Sequence, residues 1–196
     1  MFRHLKSRLR KFFRTPRRIY VDLGANKGKT VERFLGANPD WHVYAFEPAP
    51  QLAKRLRRRF RSNPKVVIIQ AAVADRDGEA LFYPGLDSDQ SSTLLTGKTP
   101  GPKTRVDYDH GYEVRSVDFA AWLRQNTTRR DEIIIKMDIE GAEYAVLPRL
   151  LATRSLLGVK ELRVEWHQDR FSAISVSEHD QLREAVGRVV KLVNWH

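Results

Sequence analysis

The 196 residues predict a doubly wound α/β domain with a mostly parallel sheet. Apolar runs of strand length ("RIYVDL", "HVYAF", "KVVIIQAAVA", "DEIIIKM") recur along the chain. Segments whose apolar residues fall at helical spacing follow or separate them. Runs this uniformly apolar indicate strands covered on both faces, as in a parallel sheet sandwiched by helices. The 41% hydrophobic content is enough for one core, so residues 19–196 are expected to form a single domain behind a basic segment, residues 1–18.

The elements are expected in the following order. "RIYVDLG" (18–24) is a strand and "TVERFLGAN" (30–38) a helix closed by Gly36 or Asn38. "HVYAFEP" (42–48) is a strand ended by Pro48, and "PQLAKRLRRRFRSNP" (50–64) a helix with Pro50 in its first turn and Leu52, Leu56 and Phe60 on one face. "KVVIIQAAVA" (65–74) is a third strand, and "RDGEALFYP" (76–84) a turn and strand. Residues 85–113, rich in Gly, Pro, Ser, Thr and Asp, read as a mobile loop or lid. "SVDFAAWLRQN" (116–126) is a helix capped by Ser116, and "DEIIIKMDIEG" (131–141) a strand with charges at its carboxyl end. "AEYAVLPRLLAT" (142–153) is a helix kinked or restarted at Pro148. "VKELRVEWH" (159–167), "SEHDQLREAVG" (177–187) and "RVVKLVNWH" (188–196) read as strand, helix with a Ser-x-x-Asp start, and last strand. Ligands of such a fold bind beyond the carboxyl ends of the strands.

The first such end carries "VDLGANKGKT" (21–30). A triphosphate loop needs four residues between its glycines and this loop has three. Asp22 would also oppose a phosphate, since unit charges about 4 Å apart repel by about 4 kcal/mol at an effective dielectric of about 20. A dinucleotide loop needs glycine where Asn26 stands. A cationic, phosphate-free nucleoside uses every residue. Gly24 and Gly28 allow close backbone approach, Asp22 can face the sulfonium and amino group of S-adenosylmethionine, and Asn26 its amino-acid part. Lys27 and Lys29 are expected on the surface. Glu47, ending the second strand, stands where an acid binds a ribose hydroxyl pair.

Taken in order, "VDLGANKGKT", "FEP", "AAVAD", "SSTLL", "VRSVDFAAWL" and "IIIKMDIEGAEYAVL" resemble an FkbM-type methyltransferase over residues 18–167. The resemblance implies a Rossmann-like class I methyltransferase fold, S-adenosylmethionine as donor, and O-methylation of a sugar, glycolipid or secondary-metabolite hydroxyl. By position it implies a donor loop of Asp22, Gly24, Ala25, Asn26 and Gly28, with Glu47 on the ribose and Ala72 near the adenine. Methyltransferases of this class end in an antiparallel strand pair, whereas one strand is available after residue 187. The C-terminal strand region is therefore expected to be reduced, or completed by a second subunit of a homo-oligomer.

Methyl transfer to a hydroxyl needs in-line alignment and removal of a proton. Asp138, Glu140 and Glu143 follow one strand, and Glu165 and His167 end the next. Asp138 is expected to contact the donor or orient the acceptor. Glu140 and His167 are the candidate bases, His167 because its ordinary pKa of about 6.5 suits a base near neutrality. A second chemistry open to Asp138, Glu140, Glu165 and His167 is a divalent metal that lowers the hydroxyl pKa. Lys136 is expected inside its strand or paired with an acid.

Residues 1–18 hold eight of the Lys and Arg residues and no acid, and so carry most of the +11 net charge. With Phe2, Leu5, Leu9, Phe12 and Phe13 at helical spacing, this segment could pack on the domain, lie on an anionic membrane surface or follow RNA. Together with "KRLRRRFR" (54–61) it motivates an alternative function, RNA methylation. The chain has no cysteine and no apolar run of membrane-spanning length. A cytoplasmic protein, in one reading peripheral at a membrane, is the expectation.

Overall fold

The computed structural model describes residues 15–86, 91–101 and 105–195. Most of the basic amphipathic segment therefore lies outside the described residues.

Six strands form one parallel sheet: β1 (Arg18–Leu23), β2 (His42–Phe46), β3 (Val66–Ile69), β7 (Glu132–Met137), β8 (Val159–Val164) and β9 (Lys191–Asn194). Their order is β3-β2-β1-β7-β8-β9. Such an order winds outward in both directions from the β1/β7 boundary, and the crevice at this reversal is where doubly wound sheets bind ligands. Side-chain alternation assigns the two faces. Ile19, Val21 and Leu23 of β1 join Ile133, Ile135 and Met137 of β7 in one core, while Tyr20 and Ile134 join the other. Helices α1 (Lys29–Ala37) and α2 (Pro50–Arg59) cover the second face through Val31, Phe34 and Leu56. Helices α3 (Phe119–Asn126), α4 (Glu143–Ala152) and α5 (Val176–Gly187) contribute Leu123, Val146, Leu150 and Val186 to the first.

A second, three-stranded sheet has the order β4-β6-β5. It comprises β4 (Ala72–Ala74), β5 (Gly78–Phe82) and β6 (Tyr112–Asp118). The run expected as one strand, 65–74, is thus two strands in different sheets: the chain leaves the large sheet after Ile69, turns at exposed Gln70, and β4 pairs parallel with β6. β6 itself lies partly in the stretch expected to be loop. The cap of α3 is accordingly Asp118, which accepts from Ala121 N at 2.9 Å, rather than Ser116, which is a β6 strand residue. At α5 the cap is Ser175 in a reciprocal box with Glu178, two residues ahead of a Ser177 start. Pro148 lies inside α4 and does not end it. β9 pairs parallel with β8, so the single C-terminal strand extends the sheet directly.

Among the described residues, two cations of the basic segment have acid partners, Arg18 Nε lying 3.6 Å from Glu132 Oε2. Arg17 Nη2 meets Asp131 Oδ2 at 3.0 Å and the Asn126 carbonyl at 2.7 Å, tying the chain ahead of β1 to the turn before β7. No helix among the described residues is long and apolar enough to cross a membrane.

Candidate active site

The glycine loop follows β1 without a break. Gly24 N and Ala25 N both donate to the Phe46 carbonyl, at 3.1 and 2.9 Å, which bends the chain over the end of β2. Asn26 adopts a left-handed backbone (φ 47), and Gly28 (φ 76) caps α1. Glu47, 4% exposed, receives the Asn26 amide at 2.8 Å and the Ala49 amide at 2.9 Å, one on each carboxylate oxygen. Burial pushes its carboxyl up to about 7 despite those two amides. The glycines make room for protein. A Cβ at Gly24 would collide with the Asp138 carbonyl oxygen, and one at Gly28 would lie 2.6 Å from Leu56. Lys27 and Lys29 are exposed. Ala72 is buried in the second sheet beside Phe82 and Val114, with Ala49 and Leu94 packed on that cluster.

Asp22 and Lys136 meet because β1 and β7 set them side by side in register. Lys136 Nζ lies 3.2 Å from Asp22 Oδ1, 3.0 Å from Asp138 Oδ2 and 3.0 Å from the Gly24 carbonyl. Burial alone would lower the Lys136 pKa, but these carboxylates hold it as an ammonium above its usual range. Asp22 is completely buried, and its carboxylate pairs with the Lys136 ammonium of the neighbouring strand. Burial pushes its pKa up and Lys136 opposes the rise. A buried carboxylate is costly unless a cation is paired with it, and Lys136 fills that role here.

A second cluster of candidate residues lies past β7 and β8. Their neighbouring ends bring Asp138, Glu140 and His167 together, with one ligating atom of each within 4.8 Å of the others. Glu165 does not belong to that set; burial raises its pKa. Glu140 sits in a left-handed turn (φ 55) ahead of Gly141. Glu143, buried in the first turn of α4, accepts from the amides of Ile139 and Gly141 at 2.9 Å and faces His167 Nδ1 at 3.2 Å. This leaves His167 Nε2 directed to Glu140 Oε2 at 3.4 Å and Asp138 Oδ1 at 3.9 Å. Burial alone would lower the His167 pKa; the Glu143 hydrogen bond and the charges of Glu143, Glu140 and Asp138 push it up to about 9. His167 is therefore an imidazolium near neutrality, which removes the reason for expecting it to act as the base. Burial also raises Glu140, against His167 and Lys98.

Lys98 was not legible as a site residue. It comes from the expected lid, yet it is buried, with Nζ 2.5 Å from Glu140 Oε2 and 3.1 Å from the Ser91 carbonyl. Thr93 Oγ1 from the same segment donates to the Glu140 carbonyl at 2.7 Å. "SSTLL" marked the neighbourhood, but no local pattern pairs residue 98 with residue 140.

The model of the methyltransferase FkbM domain matches residues 22–189, a span that contains both halves of this site. The chain belongs to the FkbM methyltransferase family. A curated relative, the 2-O-methyltransferase NoeI of Sinorhizobium fredii (strain NBRC 101917 / NGR234), is 30% identical over 143 residues, 67% of this chain and 57% of that protein. The chain thus spans rather more than half of that relative's length. Among solved structures, yeast methylglyoxal/isovaleraldehyde reductase Gre2 complexed with NADPH covers 90% of this chain and 56% of its own, at 10% identity and a TM-score of 0.41. A likeness that low carries nothing about this chain. Membership in the FkbM family implies S-adenosylmethionine as the methyl donor.

Proposed function

We propose that the protein is an S-adenosylmethionine-dependent O-methyltransferase acting on a hydroxyl of a sugar, glycolipid or secondary metabolite. The observation that carries this reading is the gathering of acids at the β1/β7 switch point, with buried Glu47 at the end of β2 and Asp138, ion-paired to Lys136 at 3.0 Å, just past β7. Glu47, at the end of β2, is suited to the ribose hydroxyls, and Gly24, Ala25, Asn26 and Gly28 shape the loop between them. Ala72, buried beside Ala49, would back the adenine end. The 2-O-methyltransferase NoeI, as a relative, supports a hydroxyl acceptor.

When bound, S-adenosylmethionine supplies a methyl group on a sulfonium and leaves as the thioether. Glu140 takes the proton of the acceptor hydroxyl as the oxygen–methyl bond forms. Its Oε2 is engaged by Lys98 and His167, while no contact among the described residues engages Oε1. His167, held as a cation, stabilises the oxygen as it loses its proton, and Asp138, fixed by Lys136, orients donor or acceptor.

The donor set Asp138, Glu140 and His167 has the chemistry of a divalent-metal site. It fits one poorly, because Lys136 already neutralises Asp138 and Lys98 already neutralises Glu140. RNA remains a second acceptor class, favoured by the exposed Lys54, Arg55, Arg57, Arg58 and Arg59 of α2. Labelled donor incubated with a cell extract, followed by mass spectrometry of the labelled product, separates the classes. A labelled glycan or small molecule supports the first reading, labelled RNA the second. Failure of the protein to bind S-adenosylhomocysteine in calorimetry would overturn both.

A further inference from the structure

Lys98 raises a question that its surroundings answer. A lysine in a Gly/Pro/Ser-rich segment ordinarily keeps its ammonium in water, since burying one costs several kcal/mol unless it is paired. Its side chain is nevertheless 1% exposed, and its ammonium rests on Glu140 Oε2 and the Ser91 carbonyl. The rest of the segment is fastened to the same two strand-end turns. Thr93 holds the Glu140 carbonyl, Thr99 N donates to the Arg170 carbonyl at 2.7 Å, and Lys98 pairs with Phe171 in an isolated antiparallel bridge. Tyr108 Oη accepts from Lys98 N at 2.9 Å, anchoring the backbone that carries the side chain. The Glu140 turn is shaped to receive this segment: a Cβ at Gly141 (φ 105) would collide with the Phe171 ring and come within 3.0 Å of Leu95.

We infer that Lys98 is the positioning residue for the Glu140 carboxylate, so that seating of the 91–101 segment and assembly of the proton acceptor are one event. The inference rests on the reading of Glu140 as that acceptor. Without Lys98, Glu140 keeps His167 at 3.4 Å as its cationic partner, beside the like charge of Asp138, and its turn loses the contact that fixes the side chain. With Lys98 in place, Oε2 is held and Oε1 is aimed by default. The segment thus closes over the acceptor and completes the chemistry with the same bond.

The test compares full-length Lys98→Met and Lys98→Arg with the parent by amide hydrogen exchange, S-adenosylhomocysteine calorimetry, and methyl transfer from labelled donor to a panel of methyl glycosides. Lys98→Met should lose protection in both 91–101 and 139–141 while its S-adenosylhomocysteine affinity stays within about twofold. Its kcat should fall roughly ten- to a hundredfold, the scale of a lost charge-assisted hydrogen bond, with KM much less affected. Lys98→Arg should recover most of both effects. Unchanged exchange, or loss confined to 91–101 with the 139–141 turn intact, would overturn the inference. So would a Lys98→Met enzyme with the parent's kcat. If the parent methylates no glycoside, exchange at the Glu140 turn still decides the role of Lys98, whereas failed S-adenosylhomocysteine binding by the parent counts against the proposed function alone.

Discussion

The two halves of the proposed site, for donor and for acceptor, are built by different means. On the donor side, every group is held by chain close in sequence or by an adjacent strand: Glu47 is fixed by the amides of Asn26 and Ala49, and the loop hangs from the Phe46 carbonyl. On the acceptor side, Glu140 depends on Lys98 and Thr93 from a distant loop and on His167 from the next strand. A locally determined half can be rigid before any ligand arrives. The long-range half can open, and its charges are set by whichever neighbours are seated.

The two halves touch at Gly24 and Lys136, and the largest expected effect comes from breaking that join. Gly24→Ala must place a methyl against the Asp138 carbonyl from a left-handed backbone, φ 82. A loss of about 3 kcal/mol or more in urea unfolding is expected, and a loss below about 1 kcal/mol would mean that the halves are not rigidly joined there. Breaking the donor half alone is milder. Glu47→Ala should weaken S-adenosylhomocysteine binding by roughly tenfold or more, the scale of a lost hydrogen bond to a charged group, and leave amide exchange at 139–141 unaltered. Unchanged binding would remove the ribose assignment.

Titration sharpens the contrast further. His167 has its pKa raised to about 9, so its stabilising contribution is complete below its ordinary value of about 6.5 and is lost as pH climbs through about 9. Unfolding free energy should therefore fall by up to about 3 kcal/mol across that window, and His167→Gln should flatten the fall. Glu47 has its pKa raised to about 7, so it is protonated below that pH. Since ribose hydroxyls donate best to the carboxylate, donor-analogue affinity should drop as pH falls through about 7, with no such drop in Glu47→Gln. The smallest expected effect is that of EDTA. Lys98 and Lys136 already occupy the cation positions at Glu140 and Asp138, so methyl transfer should survive chelation with less than a twofold change. A large loss restored by magnesium or manganese would restore the metal reading.

Much of the strand, turn and helix around the glycine loop was legible in the sequence, because these elements follow one another there without interruption. The apolar run ending at Asp22, the glycines at 24 and 28, and the acid closing the next strand are local patterns, and the sheet reproduces their order. Reading the glycines as room for a ligand missed what fills the space, since the Asp138 carbonyl and Leu56 arrive from elsewhere in the chain. The division of residues 65–74 between two sheets was illegible for a related reason. β4 exists because β6 pairs with it, and the β6 residues were divided in the sequence between the end of the expected loop (85–113) and the start of the expected helix (116–126).

The sequence by itself therefore determined the α/β architecture, the tip of β1 and the acids at the strand ends, all of which follow from periodicity and from chain neighbours a few residues apart. Only the tertiary structure decided the protonation of His167, the pairing of Lys136 with both Asp22 and Asp138, and the burial of Lys98 against Glu140. Charge states and ion pairs depend on distances of a few ångströms between groups far apart in the chain, and on the low dielectric that packing creates around them.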